Sequence, residues 1–228
     1  MGLLSKHTKL NVGASLHDAE KGWLNIALPD YFEFDSRIIG VEDGIAVYAS
    51  NLNQAEFIDW DIKLGIPFPD NSLEGIYSSH FIEHLDYQTA IHYLKESYRV
   101  LKPGGVLRTI CPDLSIWINK LYDNDKNFFD VYKGLISNEF TQNTTREFHT
   151  KLTSNIQLFN AMIYNWDHKW MWDLESLSLE LERIGYSDVV KTDPFVSKLE
   201  GADILEGNLS PEVLKGRLLE SLYVDAIK

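Results

Sequence analysis

The clearest pattern of hydrophobic and polar residues lies in the middle of the chain. The run Leu73–Tyr77 follows turn-forming residues and predicts a strand that ends at Ser78-Ser79-His80. From Phe81 onward, apolar residues recur every three or four positions, which predicts a helix. Lys102-Pro103-Gly104-Gly105 would end that helix, and Val106–Ile110 predicts the next strand. Strand, helix and strand in this order form a βαβ unit with a right-handed crossover.

Shorter patterns predict elements on either side. Lys9–Val12 predicts a first strand, which Gly13 follows at once. Residues 38–48 are rich in β-branched side chains, which suggests a hairpin or an irregular insertion. Leu174–Ile184 predicts an amphipathic helix that ends at Gly185.

Composition narrows the class of protein. A chain of 228 residues is long enough for one α/β core. The net charge of −13 argues against a nucleic-acid partner, because phosphate backbones attract basic surfaces. The single cysteine, Cys111, excludes an intramolecular disulfide and fits a reducing compartment. No apolar run approaches the roughly 20 residues of a membrane span, and no signal peptide is visible. We therefore expect a cytoplasmic protein without a membrane partner.

Three motifs, in this order and spacing, carry a resemblance to a known family. They are Asp61-Ile62 before Gly65-Ile66-Pro67-Phe68, the strand end Ser78-Ser79-His80 with Glu83-His84-Leu85 after it, and Arg99-Val100-Leu101-Lys102-Pro103-Gly104-Gly105. Together they resemble class I S-adenosylmethionine-dependent methyltransferases, in particular the small-molecule branch of the methyltransferase type 11 kind, and the resemblance covers nearly the whole chain.

The resemblance implies an α/β fold, with a Rossmann-like, mostly parallel sheet of seven strands. Ser187–Val190 and Leu218–Ala226 would form its antiparallel C-terminal hairpin. It further implies one domain over residues 1–228, in which residues 115–172 form a helical cap inserted after strand 5. The implied cofactor is S-adenosylmethionine.

The resemblance also implies which residues contact the cofactor. In the family, a glycine-rich loop lies under the methionine end, an acid accepts a hydrogen bond from the adenine amino group, and an apolar neighbour packs on the ring. The corresponding residues are Asn11, Gly13, Ala14 and Ser15 in the loop, Asp61 and Ile62 at the adenine, and Ser78 and Ser79 at the next strand end. Ala14 and Ser15 are bulkier than the usual residues and would narrow the pocket. Asp61 could instead cap a following turn.

Ala27 is the clearest departure from the family pattern. The segment Lys21–Ile26 resembles the strand after which a carboxylate normally accepts both ribose hydroxyls, but alanine cannot accept a hydrogen bond there. Asp30 and Asp35 lie nearby, but their spacing is wrong for direct substitution and fits solvated loop acids. Another group must therefore bind the ribose, or the affinity falls.

His80-Phe81-Ile82-Glu83-His84 also matches an inverted zinc-peptidase signature. We disfavour that interpretation, because the sequence identifies no third ligand on another helix. Some quinone-type O-methyltransferases resemble this segment and bind a divalent metal there, so a metal at His80, Glu83 and His84 stays open. The alternative is a structural role in capping the helix, and we assign no metal ligand.

Beyond Asp113 the sequence becomes rich in aromatic residues. A helical cap with aromatic walls would suit an apolar or ring-bearing acceptor, although a cap also needs a core of its own. The aromatic residues are Trp117, Tyr122, Phe128, Phe129, Tyr132, Phe140, Phe148, Phe159, Tyr164, Trp166, Trp170 and Trp172.

Two histidines are the candidate catalytic residues. His80 stands at a predicted strand end, and His168 lies in Asn160–Asp173, which resembles a histidine-bearing stretch of the same branch. With a pKa near 6.5, His168 could take a proton from a hydroxyl or amine, or it could be a satisfied core histidine.

The sequence therefore predicts methyl transfer to oxygen or nitrogen of a small molecule or biosynthetic intermediate. The alternative is a methyltransferase fold without methyl transfer, acting as a binding or scaffold partner or catalysing a cyclisation or isomerisation. The oligomeric state stays open.

Overall fold

The computed structural model describes residues 2, 4–14, 19–27, 36–51, 53–139 and 152–228, with the side chains of residues 136–139 excepted. The strands are β1 (Lys9–Val12), β2 (Leu24–Ala27), β3 (Ser36–Glu42), β4 (Ile45–Ser50), β5 (Glu56–Asp59), β6 (Leu73–Ser79), β7 (Leu101–Pro112), β8 (Ser187–Lys191) and β9 (Ser221–Ile227). The α-helices are α1 (Tyr87–Val100), α2 (Leu114–Tyr122), α3 (Lys126–Glu139), α4 (Asn155–Tyr164), α5 (Leu174–Ile184), α6 (Ala202–Gly207) and α7 (Pro211–Glu220). Two short 3₁₀ helices cover Ile62–Leu64 and Ile82–His84.

The strands form one sheet of nine, in the order β3-β4-β5-β2-β1-β6-β7-β9-β8. Its five central strands, from β5 to β7, pair in parallel. This arrangement confirms the predicted α/β fold with its parallel centre. The predicted count of seven strands was wrong, because β3 and β4 add an antiparallel hairpin at one edge, where β4 also pairs with β5.

The opposite edge is antiparallel, as predicted, since β9 pairs with both β7 and β8. The two last strands do not form a tight hairpin, because α6 and α7 lie between them in the chain. The predicted start of the final strand at Leu218 was also early. Residues 218–220 end α7, and β9 begins at Ser221.

Helix α1 follows the predicted period and buries Ala90, Leu94 and Val100 in the main core. Asp86 caps its first turn by accepting a hydrogen bond from the backbone N–H of Thr89 at 3.0 Å. The helix ends at Val100, and β7 begins directly with Leu101. Gly104 has φ of 81°, so the Pro-Gly-Gly segment is an irregularity within the pairing of β6 and β7 rather than a loop before it.

Helices α2, α3 and α4 share a second, smaller core. Trp117 is fully buried at its centre and packs edge-to-face on Phe128 and Tyr132, at centroid distances of 5.1 and 4.6 Å. Several predicted cap aromatics therefore serve the internal packing of these helices. Tyr122 and Tyr164 are exposed, and Phe140 and Phe148 lie outside the described residues.

A network of buried ion pairs lies between β7, β9 and α6. Arg108 on β7 is fully buried and contacts Glu206 at 2.7 Å and Asp225 at 3.2 Å. Arg108 pairs with both carboxylates, and backbone N–H groups of Phe195 and Lys198 also donate to them, so no charge is buried alone. The network holds α6 against β7 and β9. Within the part of the chain that the structure describes, every helix is too short or too polar to cross a bilayer.

Candidate functional site

The carboxyl ends of the parallel strands meet at one edge of the sheet. In this register Val12 of β1 lies beside Ser78 of β6, and Ser79 lies beside Ile110 of β7. On the other side, Val12 lies beside Ile26 of β2. Open α/β sheets bind ligands at this edge, where loops can approach from several strands.

Gly13 forms the turn after β1. Its φ of 79° lies in the left-handed region, and a Cβ there would come within 2.5 Å of the Phe81 ring. The backbone N–H groups of Gly13 and Ala14 donate to the carbonyl of Ile26 at 2.9 and 3.1 Å. The turn is therefore held close to the end of β2, and Gly13 is required by packing as well as by conformation. Ser15 lies outside the described residues.

Asn11 supports this turn from within the sheet. Its side chain is buried, and its Nδ2 donates to Oδ1 of Asn25 at 3.1 Å. Nδ2 of Asn25 in turn donates to the carbonyl of Glu56 at 3.0 Å. This amide chain ties β1, β2 and β5 together, so the Asn11 side chain acts on a ligand only through the position of the strands.

Asp61 has the capping role that the sequence offered as the alternative to an adenine contact. Its Oδ1 accepts a hydrogen bond from the backbone N–H of Lys63 at 3.0 Å, which caps the 3₁₀ helix. Oδ2 of this exposed residue has no hydrogen-bond partner within the described part of the chain. Ile62 is buried in the main core, so little of its surface is left for an adenine ring. Ser78 is likewise buried, whereas Ser79 is partly exposed at the strand end.

Ala27 ends β2 beside an acid that the sequence analysis did not single out. It is buried in a small cluster with Ala14, Ala55 and Phe57, and it is the register partner of Asp59 on β5. Because partners in parallel strands present their side chains on the same face, Asp59 lies next to the position where the family acid is missing. Its carboxylate is exposed and makes no ion pair with any described residue. Asp30 and Asp35 lie outside the described residues.

His80 lies in a turn after β6, with φ of 48°, a region that side chains other than glycine seldom adopt. Its Nε2 is 2.7 Å from Oγ of Ser221, and its Nδ1 is 3.3 Å from Oε1 of Glu83. Both ring nitrogens are thus directed at protein groups. His80 connects the start of β9 to the turn that carries Glu83.

Glu83 is fully buried, yet neither of its carboxylate oxygens has a hydrogen-bond partner among the described residues. The approach of His80 is close in distance but lacks hydrogen-bond geometry. Burial raises the pKa of Glu83 well above its ordinary value, and the Glu220 carboxylate adds to that effect. The backbone carbonyl of Glu83 accepts hydrogen bonds from the N–H groups of Lys169 and Trp170 at 2.7 and 3.2 Å.

His84 and His168 lie against each other, with ring centroids 4.9 Å apart. Burial and the neighbouring His84 lower the pKa of His168 from 6.5 to about 3. A pKa near 6.5 was expected from the sequence, and the low value makes His168 a weak proton acceptor at neutral pH. Nε2 of His168 is 4.0 Å from Oε1 of Glu83.

These contacts bring Glu83, His84 and His168 together, with their candidate ligand atoms all within 4.8 Å of one another. The sequence had grouped Glu83 with His80 and His84 instead. His80 and His84 do not share one helix, because His80 precedes the 3₁₀ helix Ile82–His84, so the zinc-peptidase arrangement is not formed. Spacing along the chain could not group His168 with Glu83 and His84, because His168 follows α4 and lies far from them in sequence.

The stretch that carries His168 is fixed to the strand ends at a second point. Asp113, directly after β7, forms a β-bridge with Trp172, and the backbone N–H of Leu114 donates to the carbonyl of Trp172 at 2.9 Å. Tyr87 packs on Trp170 with ring centroids 4.8 Å apart. Residues 168–172 therefore form one wall of the site.

Known proteins share both the central sequence and the fold. Residues 23–109 match the family described as the methyltransferase domain. A structure of a SAM-dependent methyltransferase from Archaeoglobus fulgidus superposes with a TM-score of 0.53 at 18% identity, over 97% of this chain and 86% of that one. A SAM-dependent methyltransferase from Thermotoga maritima, titled a possible histamine N-methyltransferase, gives 0.51 at 13% identity, over 99% and 84%. At these identities the structures establish a common fold. No curated protein matches the sequence of this chain.

The low pKa of His168 predicts a pH dependence of stability. The folded state takes up a proton on His168 only near pH 3, whereas the unfolded state does so near pH 6.5. Lowering the pH through 6.5 therefore stabilises the unfolded state. The free energy of unfolding continues to fall until the pH reaches about 3. Between pH 7 and pH 5 the free energy of unfolding should fall by about 2 kcal/mol more in the wild type than in His168→Gln. Urea unfolding of both proteins with a chelator present measures this difference, and equal pH slopes would contradict it.

Proposed function

We propose that this chain is a class I S-adenosylmethionine-dependent methyltransferase, which transfers the methyl group of S-adenosylmethionine to a small-molecule acceptor. The acceptor atom is an oxygen or a nitrogen. The observation that carries the proposal is the arrangement at the carboxyl ends of the parallel strands. A glycine turn, two acids and the wall formed by residues 168–172 all lie at this edge of the sheet.

The cofactor side of this edge fits an adenosine-bearing ligand. Gly13 allows a close approach of the backbone at the end of β1. Asp61 has one carboxylate oxygen free of its capping role and can accept from the adenine amino group. Asp59, in register with Ala27, supplies the carboxylate that Ala27 does not, and we assign it to the ribose hydroxyls. An acid on the next strand therefore replaces the missing acid of the family.

The acceptor side is formed by residues 115–172, which we propose as a cap over the strand ends. The cap reaches the sheet through the Asp113–Trp172 bridge and through the hydrogen bonds from Lys169 and Trp170 to Glu83. This places His168 at the ends of β6 and β7. The aromatic residues Tyr87 and Trp170 stand beside it and suit a ring-bearing acceptor.

The cofactor supplies an activated methyl group on a sulfonium, so the protein's own task is mainly to position the acceptor. Holding two reactants in line converts a bimolecular step into an effectively unimolecular one. We propose that His168 contacts the acceptor molecule. The Ser221 and Glu83 contacts of His80 make it a positioning residue for the turn that holds Glu83 and His84.

Replacing Asp59 tests the cofactor assignment. Asp59→Asn keeps the shape of the side chain and removes its charge, so the ribose hydroxyls lose a charged acceptor. Such a hydrogen bond contributes about 1.5–3 kcal/mol, so the affinity for S-adenosylhomocysteine should fall roughly tenfold to 150-fold in calorimetry. Asp43→Asn, at the exposed turn between β3 and β4, is the matched control and should bind as the wild type does. Unchanged binding in Asp59→Asn would remove Asp59 from the site, and no heat in the wild type at millimolar ligand would favour a scaffold role.

Replacing His168 tests the acceptor assignment. Transfer of labelled methyl to a panel of ring compounds bearing hydroxyls or amines should be about 10²-fold slower in kcat for His168→Gln, because a small misplacement of the acceptor costs that much. Affinity for S-adenosylhomocysteine should stay the same. His92→Gln, on the exposed face of α1, should keep full turnover. Full turnover in His168→Gln, or labelled methyl on no acceptor of the panel, would contradict the assignment.

A further inference from the structure

Methyl transfer by positioning does not explain why Glu83 is buried without a hydrogen bond to its carboxylate from any described residue. A carboxylate loses its hydration when it is buried, and in protein interiors it is normally paired, hydrogen-bonded or bound to a metal. Glu83 is fully buried and both of its oxygens lack a hydrogen bond among the described residues. The nearby Glu220 carboxylate makes a negative charge there still less favourable. A carboxylate in this position is stabilised by binding either a cation or a proton.

Besides His80, whose Nδ1 is 3.3 Å from Oε1 of Glu83, two imidazoles face this carboxylate from different parts of the chain. His84 comes from the same 3₁₀ helix as Glu83, and His168 comes from the wall that follows α4. The candidate ligand atoms of the three residues lie within 4.8 Å of one another, and Nε2 of His168 is 4.0 Å from Oε1 of Glu83. No lysine or arginine makes an ion pair with Glu83 among the described residues.

The surroundings hold these side chains in place. Backbone groups of Asp167 and Trp166 lie against the His84 ring and help to hold it in place. Nδ1 of His168 is buried and has no hydrogen-bond partner within the described residues. The N–H groups of Lys169 and Trp170 donate hydrogen bonds to the backbone carbonyl of Glu83, which holds residues 168–172 against it. Backbone groups therefore help to position the cluster.

We propose that Glu83, His84 and His168 bind one divalent first-row transition-metal cation of the zinc, manganese or iron class. Two imidazole nitrogens and one carboxylate oxygen are the donors that such ions prefer, whereas Mg²⁺ and Ca²⁺ prefer sites built from oxygen. Donors around a tetrahedral zinc ion lie roughly 3.4 Å apart, since each bond is roughly 2.0–2.2 Å long. The outermost separation of 4.8 Å must therefore shorten by small side-chain rotations when the ion binds.

Three protein ligands leave at least one coordination position open. The cluster lies where the His168 wall meets the ends of β6 and β7, so the open position is on the acceptor side of the site. An acceptor hydroxyl could occupy it and be held in line with the cofactor. This last step rests on the proposed function, whereas the binding of the ion does not.

Calorimetry of the full chain, stripped with a chelator and titrated with Zn²⁺, tests the site directly. We expect one ion per chain. Loss of a residue that only orients a metal ligand weakens metal sites about 10- to 100-fold, so His84→Gln and His168→Gln should each weaken binding at least about 100-fold. His92→Gln is the matched control, since this exposed histidine lies outside the cluster, and it should bind as the wild type does. Mg²⁺ should give no binding at the same concentrations.

Glu83→Gln separates the cation from the proton. Glutamine has the shape of a protonated glutamate, so the variant should fold and its metal-free melting temperature should not fall. Its affinity for Zn²⁺ should drop as far as that of the histidine variants. Zinc binding that survives in Glu83→Gln, that is insensitive to His84 and His168, or that is absent from the wild type would overturn the proposal in favour of a protonated Glu83. Because these titrations contain no S-adenosylhomocysteine, failure of the metal site and failure of the proposed function give separate results.

Discussion

The parallel pairing of β5, β2, β1, β6 and β7 is the constraint on which the site depends. Parallel strands all end at the same edge, so Asp59, Gly13 and His80 come together although long stretches of chain separate them. The buried amides of Asn11 and Asn25 fix the relative positions of three of these strands. The position of the adenosine side is therefore a property of the sheet rather than of any single loop.

The proposed acceptor side has a different physical basis. It is formed where one segment, residues 168–172, docks on the turn after β6 through the backbone carbonyl of Glu83 and on the end of β7 through Asp113. Both carboxylate oxygens of Glu83 and Nδ1 of His168 lie at this junction without a hydrogen bond from any described residue. Burying Glu83 and His168 without these hydrogen bonds destabilises the fold. This is expected where a ligand supplies the missing interactions.

Local pattern was enough to predict much of the fold. Residues 174–184 form a helix that ends at Gly185, as their period and glycine indicate, and residues 38–48 belong to a hairpin. The number of strands could not be derived, because pairing of that hairpin with β5 is a long-range choice. The proposed role of Asp59 depends on register with Ala27, and the lowered pKa of His168 depends on burial against His84. Neither register nor burial across the fold is contained in the spacing of residues along the chain.

A crystal structure of the chain with S-adenosylhomocysteine tests the central claim most directly, because the claim places a particular ligand against particular strand ends. The account predicts the adenosine at the ends of β2 and β5, with both ribose hydroxyls donating to Asp59 and the adenine amino group to Asp61. The sulfur should point towards His168. Ligand bound elsewhere, or a ribose whose hydroxyls are bonded away from Asp59, would contradict it.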